Sequence, residues 1–122
     1  MSYSWYKKAA DLGFNPAKAF VGAMLYRGRG TKRRRAGGAV LLGFAAAKGS
    51  SHAAYYLAKF HYEGGDEGKG YFAKDNAEAK FWLDEAMRLR EEEDTSSKVN
   101  LDPVERLRKN LVDEEKEDDG AN

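Results

Sequence analysis

Residues 17–28, AKAFVGAMLYRG, decide the fold, because residues 53–64, AAYYLAKFHYEG, repeat their pattern 36 positions later. In both stretches an alanine comes first, large apolar residues occupy the fourth, fifth and eighth positions, and Tyr-x-Gly ends the segment. Apolar residues with this spacing lie on one side of an α-helix. A helical pattern that recurs at a fixed offset predicts an array of helical repeats.

The offset of 36 residues extends to the second half of the unit. Two alanines and a glycine within residues 9–13 recur within residues 45–49. A third copy follows after about five additional residues, since residues 82–86, WLDEA, echo residues 5–9, WYKKA. Each unit is therefore predicted to be two antiparallel helices, in which alanines allow close approach. The alternative is a helical bundle without repeats, which leaves the common offset unexplained.

Residues at the ends of these segments predict where the helices begin and stop. Asn15 is a predicted N-cap, followed by Pro16 at the first helical position, and Gly28 is a predicted C-cap. Ser50 and Ser51 are predicted to cap the next helix of this kind. The expected helices cover residues 3–12, 16–27, 37–48 and 52–62, and a further one begins at Asp75 or Asn76.

The repeats define the expected organisation of the chain. A capping helix is predicted to follow them, with Asp102 as its N-cap and Pro103 at its first position. The acidic run after it is predicted to be a solvated, disordered tail, and the glycine-rich residues 64–70 a flexible linker. The expected segments are a repeat array over residues 1–94 (half repeat 3–14, repeats 15–50 and 51–90), a linker and capping helix over 95–112, and the acidic tail 113–122.

Charge is distributed unevenly along the chain, although the formal net charge is only +1. Residues 12–62 hold nine lysines and arginines and no acidic residue, whereas residues 63–122 hold 19 acidic residues against 10 basic ones. Such asymmetry bears on association with charged partners and not on the fold. The most concentrated positive charge is at residues 32–35, KRRR, directly before a predicted helix.

Composition excludes several classes of protein. The absence of cysteine excludes disulfide frameworks, thiolate metal sites and cysteine nucleophiles, and two histidines argue against a histidine-rich metal site. No apolar run reaches the roughly 20 residues that span a bilayer, and the N-terminal residues lack the apolar stretch of a secretory signal. We therefore expect a soluble intracellular protein, cytoplasmic or nuclear. Because no catalytic grouping is visible, we expect no enzyme activity, no cofactor and no metal.

Together these motifs resemble the Sel-1-like repeat, a relative of the tetratricopeptide repeat (TPR). The resemblance covers about residues 3–90 and rests on residues 5–13, WYKKAADLG, residues 26–30, YRGRG, and residues 45–49, AAAKG. It implies an all-α fold in which helix pairs stack as a short right-handed α-solenoid, a TPR-like superhelix. It also implies an adaptor or scaffold that binds other proteins on a concave face, lined by the first helices of the units. The chain departs from the family pattern at the basic residues 32–35, where the family has a small acidic turn.

The predicted binding residues combine tyrosine with positive charge, as strong interfaces do. The predicted partner-binding set lies on the first helices of the units and consists of Tyr26, Arg27, Tyr55, Lys59 and Tyr62. A predicted patch for an anion or an acidic partner consists of Arg29, Lys32, Arg33, Arg34 and Arg35. The alternatives to a binding role are ordinary packing between repeats for the tyrosines and a solvated turn for the basic residues.

We expect a protein or peptide as the partner, and an acidic one because of the basic residues 27–35. The alternative is nucleic acid, whose phosphates the same residues would contact. The acidic tail is a further candidate partner for the patch, within one chain or across a dimer. The incomplete N-terminal repeat is a predicted place for pairing with a second chain.

Overall fold

The computed structural model describes residues 3–64, 72–93 and 98–120. These residues form six α-helices and no β-strand, which confirms the predicted all-α fold. The starts and ends of the predicted repeat helices lie within two residues of their expected positions. The helices are α1 (Tyr3–Asp11), α2 (Asn15–Arg27), α3 (Arg35–Ala47), α4 (Ser51–Glu63), α5 (Asn76–Glu92) and α6 (Leu101–Gly120).

Each helix packs against the next one in the chain. The most extensive contacts are those of α2 with α3 and of α4 with α5. Two further contacts skip a helix, since α2 packs on α4 and α4 packs on α6. These contacts place α2, α4 and α6 side by side, with α4 in the middle.

A very close approach between helices occurs where α2 meets α3. A Cβ atom added to Gly38 of α3 would lie 2.5 Å from the Gly22 carbonyl oxygen and 2.6 Å from the Tyr26 nitrogen, both in α2. Only glycine leaves room for two backbones at this separation. The position 36 residues after Gly22 is Ala58, and the position 41 residues after Gly38 is Ala79. These two alanines are fully buried where α4 meets α5.

Backbone hydrogen bonds at the helix ends recur along the chain. The turn between α1 and α2 contains a hydrogen bond that recurs in the turn between α3 and α4. The connection between α2 and α3 is hydrogen-bonded to the end of α2, and the connection between α4 and α5 is bonded to the end of α4 in the same way. The first pair is Phe14 N to Ala9 O and Ser50 N to Ala45 O, both at 3.0 Å. The second pair is Arg34 N to Leu25 O at 2.7 Å and Asp75 N to His61 O at 2.9 Å.

Of the two serines predicted to cap α4, Ser50 is the N-cap. The Ser50 hydroxyl accepts a hydrogen bond from the Ala53 backbone nitrogen at 3.2 Å, which satisfies one of the free N–H groups of the first turn. Ser51 is the first residue of α4 and not a cap, and its hydroxyl accepts a hydrogen bond from the Val99 nitrogen at 2.9 Å. The two serines are fully buried. Ser50 therefore caps α4, and Ser51 attaches the segment that precedes α6.

Two helix starts differ from their predictions. Phe14, and not Asn15, is the N-cap of α2, because the Phe14 carbonyl already accepts a hydrogen bond from the Ala17 nitrogen at 3.0 Å. The helix α6 begins at Leu101, ahead of the predicted N-cap Asp102. Pro103 still lies in the first turn of α6, where a missing N–H costs no hydrogen bond within the helix.

The helix α6 continues to Gly120, in place of the disordered tail predicted from residue 113. The Glu114 carboxylate fixes the turn at which the tail was expected to begin. It accepts hydrogen bonds from Asn76 Nδ2 at 2.7 Å and from the Tyr62 hydroxyl at 3.3 Å, and it pairs with Lys74 Nζ at 3.5 Å. The hydrogen bond from Asn76 is the main cause of the lowered pKa of Glu114.

Some predictions fall on residues outside the described ranges. These are the flexible linker beyond Gly64, the boundary between the repeat array and the capping helix at residues 94 and 95, and the last two residues of the acidic tail. Within the described ranges, none of the helices has the length and the apolar content needed to cross a membrane.

Candidate binding face between α2 and α4

A groove with a volume of 270 Å³ lies between α1, α2 and α4. Its wall is aromatic, since the ring centroid of Phe20 lies 5.3 Å from that of Tyr6 and 6.3 Å from that of Tyr56. Two cationic side chains, from the last residue of α2 and from the loop after it, complete the lining. We call it the α2–α4 groove; its lining includes Tyr6, Phe20, Met24, Arg27, Arg29 and Tyr56.

Positive charge is concentrated beside this groove. Arg27 pairs with the Glu63 carboxylate at 3.2 Å, and both side chains are partly exposed. The pKa of Lys59 is lowered, first by burial and then by repulsion from Arg27, while Glu63 opposes the shift. Arg29 and Arg106 add smaller repulsions. Among the described residues that act on Lys59, one carboxylate thus faces three arginines, so this face keeps a positive potential at neutral pH.

A smaller pocket of 150 Å³ lies between α4 and α6. Three predicted binding residues, Tyr55, Lys59 and Tyr62, line it. Burial raises the pKa of the Tyr55 phenol. The Tyr62 hydroxyl donates to Glu114, and Lys74 Nζ lies 4.2 Å from its ring centroid. Tyr62 therefore serves the attachment of α6, whereas Tyr55 and Lys59 remain accessible in part.

Tyr26 belongs to the core, which removes it from the predicted binding residues. It is only 7% exposed, and its ring stacks on that of Phe60 with centroids 4.2 Å apart. Its hydroxyl oxygen accepts a hydrogen bond from the Phe72 nitrogen at 3.3 Å. The tyrosine side chain therefore joins α2, α4 and the segment before α5. Its neighbour Arg27 points to the groove, because adjacent helical residues face different directions.

The predicted basic patch divides into two parts. Arg29 lines the α2–α4 groove, as described above. Lys32, Arg33 and Arg34 are exposed in the loop before α3, and Arg35 is the first residue of α3 and partly buried. Among the described residues, none of these four side chains forms an ion pair or a hydrogen bond. We call residues 32–35 the basic run.

Sequence reasoning missed five residues of this face. Tyr6, Phe20, Met24 and Tyr56 were not predicted as binding residues, although the 36-residue offset pairs Phe20 with Tyr56 and was a usable signal. Arg106 had no such signal, because only the packing of α6 on α4 brings it to Lys59.

The first helix exposes apolar side chains at the predicted place of pairing with a second chain. Trp5 is 52% exposed, and Leu12, directly after α1, is 88% exposed. Phe14, in the turn before α2, is also exposed.

The histidines offer no metal site within the described part of the chain, in which no cluster of three or more histidine and acidic side chains is placed to hold an ion. Burial is the main cause of the lowered pKa of both His52 and His61.

Comparison of the chain with protein-family models, with curated proteins and with solved structures found no match.

Proposed function

We propose that the chain is a short array of Sel-1-like helical repeats that serves as a scaffold and binds an acidic polypeptide in the α2–α4 groove. The observation that carries the proposal is the presence of Arg27 and Arg29 in the aromatic lining of the groove, with Lys59 of α4 close enough for both arginines to repel it. The proposal includes no catalytic step, no cofactor and no metal.

The repeat part of the proposal is supported by the correspondence between α2 and α4. Both helices have 13 residues, and their first residues, Asn15 and Ser51, lie 36 positions apart. Both end at a glycine with a positive φ, 76° at Gly28 and 68° at Gly64. The recurring hydrogen bonds at the helix ends add independent support. On this basis we propose that the helix pairs stack as a right-handed α-solenoid, in which each pair contributes its first helix to one face.

The binding part of the proposal is supported by the chemistry of the groove. Tyrosine and arginine are enriched where interfaces are strongest, because they combine apolar area with directed polar groups. A positive surface accelerates encounter with an acidic partner and rejects a basic one. The groove offers an aromatic wall for one apolar side chain, and Arg27, Arg29 and Lys59 are placed to meet neighbouring carboxylates.

The test is a fluorescence-anisotropy titration with a labelled glutamate-rich peptide that carries one central leucine. Arg29→Ala and Lys59→Ala are each expected to weaken binding about two- to fivefold, as the loss of a partly exposed charge pair does. Lys80→Ala, an exposed lysine of α5 away from the groove, is the matched control and is expected to bind as the wild type does. Equal binding of a peptide in which glutamine replaces glutamate would refute the acidic preference.

A nucleic-acid partner is the second candidate, because Lys32, Arg33 and Arg34 are exposed and form no ion pair among the described residues. A labelled single-stranded oligonucleotide in the same titration distinguishes the two candidates. Contacts with phosphates predict affinity that falls steeply with salt and is similar for unrelated sequences. Substitution of the whole basic run by alanine would then abolish binding of the oligonucleotide and leave binding of the peptide in the groove largely intact.

A further inference from the structure

The acidic end of α6, residues 113–120, projects beyond the helices on which α6 packs. Glu114 contacts Tyr62, the penultimate residue of α4. At a rise of 1.5 Å per residue, residues 115–120 carry α6 about 9 Å past this point. Glu115 and Glu117 are exposed there. Acidic side chains at a helix C-terminus oppose the helix dipole, so this end of α6 is electrostatically unfavourable by itself.

The basic run has the opposite arrangement at the start of α3. Arg34 is the N-cap of this helix and Arg35 its first residue, so positive side chains face the positive end of the helix dipole. Lys32 and Arg33 precede them and are exposed. Both the basic run and the acidic end of α6 therefore gain from a partner of opposite charge.

Among the described residues, no ion pair joins Lys32 or Arg33 of the basic run to Glu115 or Glu117 of the same chain. The helix α4 lies between α2 and α6, which are not in contact. The three contacts of Glu114 with Asn76, Tyr62 and Lys74 hold α6 in this position.

We propose that the chain self-associates head to tail, with the acidic end of α6 of one copy bound to the basic run of a second copy. This inference goes beyond the proposed function, since the basic run lies outside the lining of the α2–α4 groove. In such a contact the negative end of α6 meets the positive end of α3, so each segment relieves the dipole conflict of the other. The contact joins two different surfaces, so it leads to open chains or closed rings and not to a two-fold dimer.

The test is sedimentation velocity of the full chain over a concentration series, at low and at high salt. The wild type is expected to self-associate at low salt and to dissociate as salt is added. The double reversals Lys32→Glu/Arg33→Glu and Glu115→Lys/Glu117→Lys are each expected to weaken self-association by about tenfold or more, because attraction becomes repulsion at two positions. An equimolar mixture of the two variants is expected to associate again, since each reversed segment finds an oppositely charged one on the other variant.

Matched controls separate this contact from net charge. Lys80→Glu/Lys109→Glu and Glu91→Lys/Glu105→Lys change the net charge equally at exposed positions outside the two segments. Their self-association is expected to equal that of the wild type. A wild type that stays monomeric at low salt would overturn the inference, as would control variants that dissociate as far as the test variants.

Failure of this inference is distinguishable from failure of the proposed function. If the wild type is monomeric but the glutamate-rich peptide binds in the α2–α4 groove, only the head-to-tail contact is refuted. If the wild type is monomeric and the peptide does not bind either, both are refuted.

Discussion

Gly38→Ala tests whether the close approach of α2 and α3 is a condition of the fold. The new Cβ atom would lie 2.5 Å from the Gly22 oxygen and 2.6 Å from the Tyr26 nitrogen, which are backbone atoms and cannot turn aside. The two helices must therefore separate, and overpacking of this kind costs about 1–3 kcal/mol. The better helix propensity of alanine returns about 0.8–1.0 kcal/mol. We expect a net loss of up to about 2 kcal/mol in the free energy of unfolding.

Gly43→Ala is the matched control, because it lies in the same helix and a Cβ atom there meets nothing within 4 Å. This variant is expected to gain up to about 1 kcal/mol from helix propensity alone. Urea unfolding followed by far-ultraviolet circular dichroism measures the free energy of unfolding of both variants. In thermal unfolding, the melting temperatures of the two variants should differ by about 4 °C for each kcal/mol of difference in that free energy. If Gly38→Ala were as stable as Gly43→Ala, the argument from close approach would be refuted.

Two further predictions concern α4. Ser50→Ala removes the hydroxyl that accepts from Ala53 and is expected to cost about 0.5–2 kcal/mol in urea unfolding. Ser50→Thr keeps the hydroxyl without adding a charge at this buried position, and equal losses for the two variants would contradict the capping role. Burial lowers the pKa of His52 in the folded state below 6.5, while attraction to Glu93 opposes the shift. Between the folded pKa and 6.5 the unfolded chain therefore binds more protons than the folded chain does. The free energy of unfolding decreases as the pH is lowered through this interval and levels off below the folded pKa. His52→Gln is expected to flatten the dependence of the melting temperature on pH, and an unchanged slope would contradict it.

The sequence was sufficient for features that depend on neighbouring residues. Apolar spacing predicted α2 and α4, and Gly28, Ser50 and Asp75 were recognised as ends or caps because each acts within one turn of its own helix. Asn15 was wrong as the N-cap because it is already the first helical residue, while Phe14 before it keeps an extended backbone. The prediction of a disordered tail was wrong because it was made from the composition of the segment alone. Composition does not include the contacts that Glu114 makes with Tyr62 and Asn76 of neighbouring helices.

The proposed binding face depends on contacts that no local pattern contains. Tyr26 and Tyr55 are both helical tyrosines of a first helix, yet Tyr26 is core and Tyr55 is half-buried beside a pocket. Nothing in the spacing of Arg106 relates it to Lys59, because α6 reaches α4 only through tertiary packing. These positions could not be assigned from one sequence.

The sequence by itself determined that the chain is helical, where α1 to α4 lie, and that positive charge precedes negative charge along it. Tertiary structure alone decided which tyrosine is buried, which cations share a groove, and that Glu114 extends α6. The physical reason is distance along the chain. Helix formation and capping act over three or four residues, whereas the bonds from Phe72 to Tyr26 and from Tyr62 to Glu114 join residues 46 and 52 positions apart.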